Sequence, residues 1–192
     1  MNAPKIIAFA GSARKDSFNK ALVKIAAKGA ALEGASVTLL DLKDYPLPLF
    51  DEDLEKEQGT PENAVKLKQL FASHDGFLIA SPEYNSSISP LLKNTIDWAS
   101  RPAEGEPPMI AYKGKTAAIM SASPGGLGGL RGLVHVRSIL SSIGVLMLPE
   151  QIAIPSAYQA FDESGNLIDE KKQQRVEGLG KLLTDTISKL NV

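Results

Sequence analysis

The chain has 192 residues, a formal net charge of −1, 43% apolar and 22% charged residues, and no cysteine. That balance suits one globular domain over residues 1–192 with room for a full buried sheet, and a near-neutral chain without a basic block argues against nucleic acid or an anionic membrane as main partner. Without cysteine, disulfides, thiol redox chemistry and cysteine-ligated metals are excluded, and no apolar run reaches membrane-spanning or secretory length, so a cytoplasmic enzyme or binding protein is expected.

Lys5 to Ala10 reads as a continuous apolar strand of the kind buried on both faces. Ser17 to Leu32 follows as a helix, with Phe18, Leu22, Ile25, Gly29 and Leu32 at helical spacing. Ser36 to Asp41 is the second strand. Tyr45 to Pro61, rich in proline and acid, reads as a long loop, and long ordered loops are often functional. Pro61 to His74 is a helix with Val65, Leu67, Leu70 and Phe71 inward. Asp75 to Ser81 is the third strand, Ser89 to Arg101 a helix, Gly114 to Ala122 the fourth strand, and Gly128 to Ile143 a helix. Val145 to Leu148 is a short fifth strand, and Asp169 to Leu190 closes the chain with Val176, Leu179, Leu183, Ile187 and Leu190 in register.

About five strands alternating with helices imply an α/β fold, a parallel sheet with helices on both faces, in the flavodoxin-like order 2-1-3-4-5 rather than that of a six-stranded dinucleotide fold. In such a sheet ligands sit beyond the carboxyl ends of the strands at the switch point, so the loops after strands one and three should face each other.

Three loops carry the chemistry. Gly11 to Asn19, G-S-A-R-K-D-S-F-N, joins the first strand to a helix start, aiming unpaired N–H groups and the positive end of the helix dipole at one spot. Ser12, Ser17 and Asn19 add short polar groups there, and Arg14 adds a planar donor fork suited to phosphate oxygens. The same residues also suit a plain helix-capping loop. Ser81 to Ser89, S-P-E-Y-N-S-S-I-S, follows the third strand, where Pro82 stiffens the exit and Tyr84, Asn85 and Ser86 offer an aromatic face, an amide and a hydroxyl for a flat heteroaromatic ring. A helix-capping turn with Tyr84 over the core is the simpler alternative. Glu83 lacks an evident partner, and such loop carboxylates are usually solvated. Ser121 to Gly132, S-A-S-P-G-G-L-G-G-L-R-G, allows close backbone approach, or simply a flexible turn.

Other chemistries lack parts. Gly126, Gly128 and Gly132 have the wrong spacing for a dinucleotide fingerprint and follow a late strand, and Gly114-Lys115-Thr116 lacks the leading glycine of a triphosphate loop because Met109 stands there. His74 and His135 read as ordinary helix residues, far apart in sequence. No metal motif is present.

Together, the first loop, the S-P-E-Y-N-S-S-I-S-P-L-L-K-N-T-I-D-W-A-S-R segment, S-P-G-G-L-G-G and the D-L-K-D-Y-P-L-P-L-F-D-E-D stretch from Asp41 to Asp53 resemble the NAD(P)H-dependent FMN reductases, including quinone, azo-dye and chromate reductases. The resemblance covers nearly the whole chain. Ala13 stands where many relatives carry leucine, and Asp16 brings a negative charge near the phosphate loop. The resemblance implies that Gly11, Ser12, Arg14, Ser17, Phe18 and Asn19 hold the phosphate of FMN. It places the isoalloxazine ring against Pro82, Glu83, Tyr84 and Asn85, largely through backbone, with Ser123, Pro124 and Gly125 at the other edge. It further implies NADPH or NADH as hydride donor, a small-molecule electron acceptor, and a homodimer or homotetramer, with Trp98 in the core or at the interface. A non-catalytic flavin-binding or electron-carrier module, or a flavin-free dehydrogenase using the Gly125 to Gly132 loop, are the alternatives, and a visible spectrum separates the last from the others.

Overall fold

In the computed structural model, which describes residues 3–190, five parallel strands form one sheet in the order β2-β1-β3-β4-β5. The strands are β1 (Lys5–Ala10), β2 (Ser36–Leu40), β3 (Gly76–Ala80), β4 (Thr116–Ala122) and β5 (Leu146–Ile154). The expected order is therefore observed; the ends of the expected domain, residues 1–2 and 191–192, lie outside the described residues. Every residue of β3 and β4 is buried, as are Ile6 to Ala10 of β1, the pattern of strands covered on both faces.

Because side chains alternate along a strand, one sheet feeds two cores. Ile6, Ala8 and Ala10 point to one face, where α1 (Phe18–Leu32) and α7 (Glu170–Leu190) pack. Ile7 and Phe9 point to the other, beneath α3 (Glu62–Ala72), α4 (Pro90–Ala99) and α5 (Leu130–Ser142). In α3 the burial falls on Ala64, Leu67, Lys68 and Phe71, with Val65 and Leu70 only half-buried. In α1 Leu32 is exposed rather than inward. Trp98 is fully buried and donates from Nε1 to Pro48 O at 2.8 Å, so it belongs to the core. His74 is likewise an internal residue, its Nε2 lying 2.9 Å from Thr38 Oγ1 and its Nδ1 2.8 Å from Leu70 O.

Two expectations need correction. The Tyr45 to Pro61 stretch is not all loop: α2 (Glu52–Gln58) lies within it, capped by Asp51, whose carboxylate accepts from Asp53 N at 2.8 Å. This helix buries no residue and so shows no apolar period; its cap, its acidic first turn and the ion pair from Glu55 to Arg101 hold it. The fifth strand is also longer than Val145 to Leu148 and runs through Pro149 to Ile154. Between the Ala117–Met147 and Ile119–Gln151 pairs, β5 carries extra residues, a bulge at which an edge strand tolerates proline. Short α6 (Ala157–Ala160) follows β5.

The two helices on the first face meet almost backbone to backbone. A Cβ on Gly180 would lie 1.9 Å from Ala26 O, and one on Gly29 would lie 2.0 Å from Glu177 O. Gly178, two residues from Gly180, has nothing within 4 Å of its would-be Cβ. The substitutions should therefore have opposite signs. Gly178→Ala should stabilise by about 0.5–1 kcal/mol through helix propensity, and Gly180→Ala should destabilise by roughly 1–3 kcal/mol because the helices must separate. Urea unfolding of the two variants measures both.

Candidate functional site

The first loop is built around a close approach. Gly11 N donates to Ala80 O at 2.9 Å, continuing the β1–β3 ladder one residue past the strands. Ser89 then clamps the loop from the other side: its hydroxyl donates to Gly11 O at 2.6 Å and accepts from Leu92 N at 3.2 Å as the cap of α4. A Cβ at Gly11 would stand 2.9 Å from Leu92 Cβ, so only glycine fits this seam without displacement.

Beyond Gly11, Ser12 is buried and accepts from Arg14 N at 3.3 Å, and Ser17 caps α1 by accepting from Lys20 N at 3.4 Å. Both hydroxyls keep their own hydrogens for another acceptor. Phe18 and Asn19 open the helix, where backbone N–H groups have no intrahelical acceptor. Arg14 is exposed, and among the described residues no carboxylate pairs with it. The Asp16 side chain is exposed and lines a different cavity, toward residues 161–166.

The Asn19 side chain does not point where the sequence suggests. Its amide donates to Ala122 O at 2.9 Å and accepts from Ala122 N at 3.0 Å, a buried bridge from α1 to the end of β4. Its side chain therefore fixes the third loop relative to the first, and only its backbone N–H remains with the open helix end. The Phe18 ring also turns aside, stacking on Phe161 at 5.6 Å and meeting Tyr158 edge-on at 5.2 Å.

In the second loop, Tyr84 to Ser87 closes a two-residue turn. Tyr84 N donates to Ser87 O at 2.9 Å and Ser87 N to Tyr84 O at 3.0 Å, with Asn85 and Ser86 both left-handed at φ 51° and 67°. Asparagine tolerates that conformation, while serine is held there at a conformational cost. His135 Nδ1 lies 2.8 Å from Ser87 Oγ and steadies the turn from α5. The ring of Tyr84 remains about half exposed.

Glu83 corrects the expectation of a solvated carboxylate. Its side chain is 8% exposed, pairs with Arg131 at 2.7 Å, and accepts from Gly132 N at 3.0 Å. The α5 helix has Gly129 as its own N-cap and no side-chain cap of its own, so a carboxylate from another loop completes its first turn. Burial acts to raise the Glu83 pKa, but the Gly132 and Arg131 hydrogen bonds with the Arg131 charge outweigh it and hold the group below its ordinary 4.5. The third loop owes its glycines mainly to such internal contacts. Gly129, at φ 89°, would place a Cβ 2.0 Å from the buried Ser121 Oγ, whereas a Cβ on Gly125 would meet Ser123 Oγ at an ordinary 3.8 Å and one on Gly126 would meet nothing within 4 Å.

The three loops converge. Ser12, Arg14, Ser17, Phe18, Asn19, Pro82, Glu83, Tyr84, Ser123 and Pro124, with Ala122, line one cleft at the carboxyl end of the sheet. Gly11, Asn85 and Gly125 lie outside that lining but are consecutive with it. The sequence reading missed the supports behind the cleft, Ser89, Ser87, His135 and the Arg131–Gly132 helix start, because each acts across 48 to 78 residues of chain.

An unpaired guanidinium, two hydroxyls able to donate and an open helix start make a donor set for a dianionic phosphate, and a half-exposed tyrosine beside a proline-stiffened strand exit suits a flat ring. Among the described residues no cluster of histidine and carboxylate could hold a metal.

The fold is that of a flavodoxin-like α/β protein. The profile of the family described as NADPH-dependent FMN reductase matches residues 4–159, and the chain belongs to that family. It is 37% identical over 174 residues to an NAD(P)H-dependent FMN reductase of Pseudomonas aeruginosa, covering 90% of this chain and 89% of the relative. It is 35% identical to an NADPH:quinone oxidoreductase of Arabidopsis thaliana, covering 90% of this chain and 86% of that one. Among solved structures, the flavoenzyme NAD(P)H:(acceptor) oxidoreductase FerB of Paracoccus denitrificans superimposes with a TM-score of 0.79 at 32% identity, over 97% of this chain and 98% of that one.

The Glu83 contacts carry a pH signature. A carboxylate with a lowered folded-state pKa contributes stability that is present above its unfolded value and is lost as pH falls through the folded value. Acid titration of stability should show a loss beginning below about pH 4.5. Glu83→Gln should lose about 1–2 kcal/mol at pH 7 and flatten that acid limb, as denaturant melts across pH would measure.

Proposed function

We propose that the chain is a single-domain, FMN-dependent oxidoreductase that takes a hydride from NAD(P)H and reduces a small acceptor such as a quinone, azo compound, free flavin or chromate. The observation that carries this reading is the convergence of the three loops on one cleft with an unpaired arginine at an open helix start. The family membership and the quinone- and flavin-reducing relatives support the same activity.

The residues divide the task. Arg14, the hydroxyls of Ser12 and Ser17, and the backbone N–H groups of Phe18 and Asn19 hold the FMN phosphate, with Gly11 giving the loop its close turn. Pro82, Glu83, Tyr84 and Asn85 form one edge for the ring and Ser123, Pro124 and Gly125 the other, largely through backbone. Bound FMN supplies acceptance of the nicotinamide hydride and later delivery of electrons to the acceptor. This chain contributes orientation and fixed backbone donors at the ring edge, which favour negative charge there. No protein nucleophile is required. Glu83 works from behind, fixing the Tyr84 turn against α5.

The reading extends to a homodimer or homotetramer whose second copy covers the cleft. Tyr84 and the exposed Leu127, Leu130 and Val134, on the loop and helix that partner Glu83, support such a cover. It extends also to a cytoplasmic location; among the described residues no helix is long and apolar enough to cross a membrane. Light scattering of the purified protein checks the assembly.

Reconstituted protein should be yellow and should oxidise NAD(P)H in the presence of a quinone; a yellow protein without turnover would mark an electron carrier, and a colourless one would overturn the reading. Arg14→Ala should weaken FMN binding by about 1.5–3 kcal/mol, roughly ten- to a hundredfold, as flavin-fluorescence titration would measure.

A further inference from the structure

A second cleft, of about 360 Å³, opens on the far side of the phosphate loop, between α1 and the carboxyl end of β2. Its wall is apolar, formed by Ala8, Ala10, Val23, Leu39 and Leu40, and Leu39 is 56% exposed. Its rim carries Lys15, Lys20, Lys24 and Lys43 against the single carboxylate of Asp41. That carboxylate is already engaged, by Lys20 Nζ at 2.6 Å and by Lys43 N at 3.0 Å. Among the described residues Lys15, Lys24 and Lys43 have no carboxylate partner, although the chain as a whole carries a net charge of −1.

The larger cavity on the other flank of α1 makes a useful contrast. There Lys15, Lys20, Lys24 and Lys28 face Asp16, Asp162 and Glu163, so charge is nearly balanced. Three of these lysines, Lys15, Lys20 and Lys24, are shared with the β2 cleft, whose lining adds Lys43 and holds one carboxylate, Asp41, already engaged. A purine ring beside a phosphate monoester has the same two parts, a flat apolar body and a dianion.

Resting on the oxidoreductase reading above, we infer that this cleft receives the adenosine 2′-phosphate end of NADPH and selects NADPH over NADH. The topology makes this geometrically consistent. In the order β2-β1-β3, the end of β2 lies two strand spacings, about 10 Å, from the end of β3. A dinucleotide with its nicotinamide on the Tyr84 side can therefore run across the β1 loop to reach it. Lys24 and Lys43 are the specificity residues. They are exposed, and neither lines the FMN cleft.

The test is equilibrium binding of NADP+ and NAD+ to FMN-loaded protein by calorimetry, in wild type and in the Lys24→Gln/Lys43→Gln variant. The expected result is tighter binding of NADP+ in wild type, a roughly tenfold loss of NADP+ affinity in the variant, NAD+ affinity within about twofold, and unchanged FMN affinity. The KM for NADPH should rise in parallel while kcat holds, and adenosine 2′-monophosphate should compete with NADPH in wild type but not in the variant. Equal binding of the two nucleotides by wild type, or equal changes in both or in neither on substitution, would overturn the inference while leaving the flavoenzyme intact. A wild-type protein that binds no FMN would instead overturn the oxidoreductase reading itself.

Discussion

The carboxyl ends of β1 and β3 are joined one step beyond the strands, by Gly11 N on Ala80 O and by the Ser89 hydroxyl on Gly11 O. That junction is where the sheet changes direction of growth, since β1 leads outward to β2 and β3 outward to β4. β1 leads on to α1 on one face of the sheet and β3 to α4 on the other, so the first two loops part at this point and line a common crevice. Everything proposed for the cleft depends on this adjacency. A bulkier residue at position 11 would meet Leu92 and push the first loop away from the Tyr84 turn.

The third loop is tied in by two polar bridges, one buried and one partly buried. Asn19 spans from α1 to the backbone of Ala122, and Glu83 spans from the second loop to the start of α5. Each satisfies backbone groups that the ends of strands and helices leave open. The result is a braced frame around a cleft that offers backbone N–H groups, two hydroxyls, a guanidinium and a tyrosine ring. Such a surface positions a cofactor without reacting with it, which is consistent with redox chemistry that belongs to the flavin. Asn19 and Glu83 thus serve the site from behind, and their side chains are framework.

Electrostatically the chain is nearly neutral, yet its cations are not evenly placed. Among the described residues Arg14 has no carboxylate partner in the first loop, and lysines gather on the flank of α1 next to it, where the β2 cleft is lined by one carboxylate, Asp41. Acidic residues collect instead on α2, where Glu52, Asp53 and Glu55 suit the first turn of a helix that buries nothing. Two adjoining anion-seeking regions along one edge fit a protein that handles a phosphorylated cofactor and a phosphorylated co-substrate together.

The strand order and both faces of the core could be read from the chain because buried parallel strands leave uninterrupted apolar runs, and amphipathic helices leave a 3.6-residue period. The three site loops were legible for a related reason: Gly, Ser, Arg and Asn after a strand mark a turn into an open helix end, whatever lies around them. What escaped the sequence had no period or acted at long range. Helix α2 buries nothing, β5 continues through a proline by means of a bulge, and the roles of Asn19 and Glu83 depend on partners at Ala122, Arg131 and Gly132. Local composition set which groups the loops would offer; only the packed structure decided which of those groups face the cleft and which are used up holding it open, because that choice is made by hydrogen-bond partners distant in sequence and adjacent only after folding.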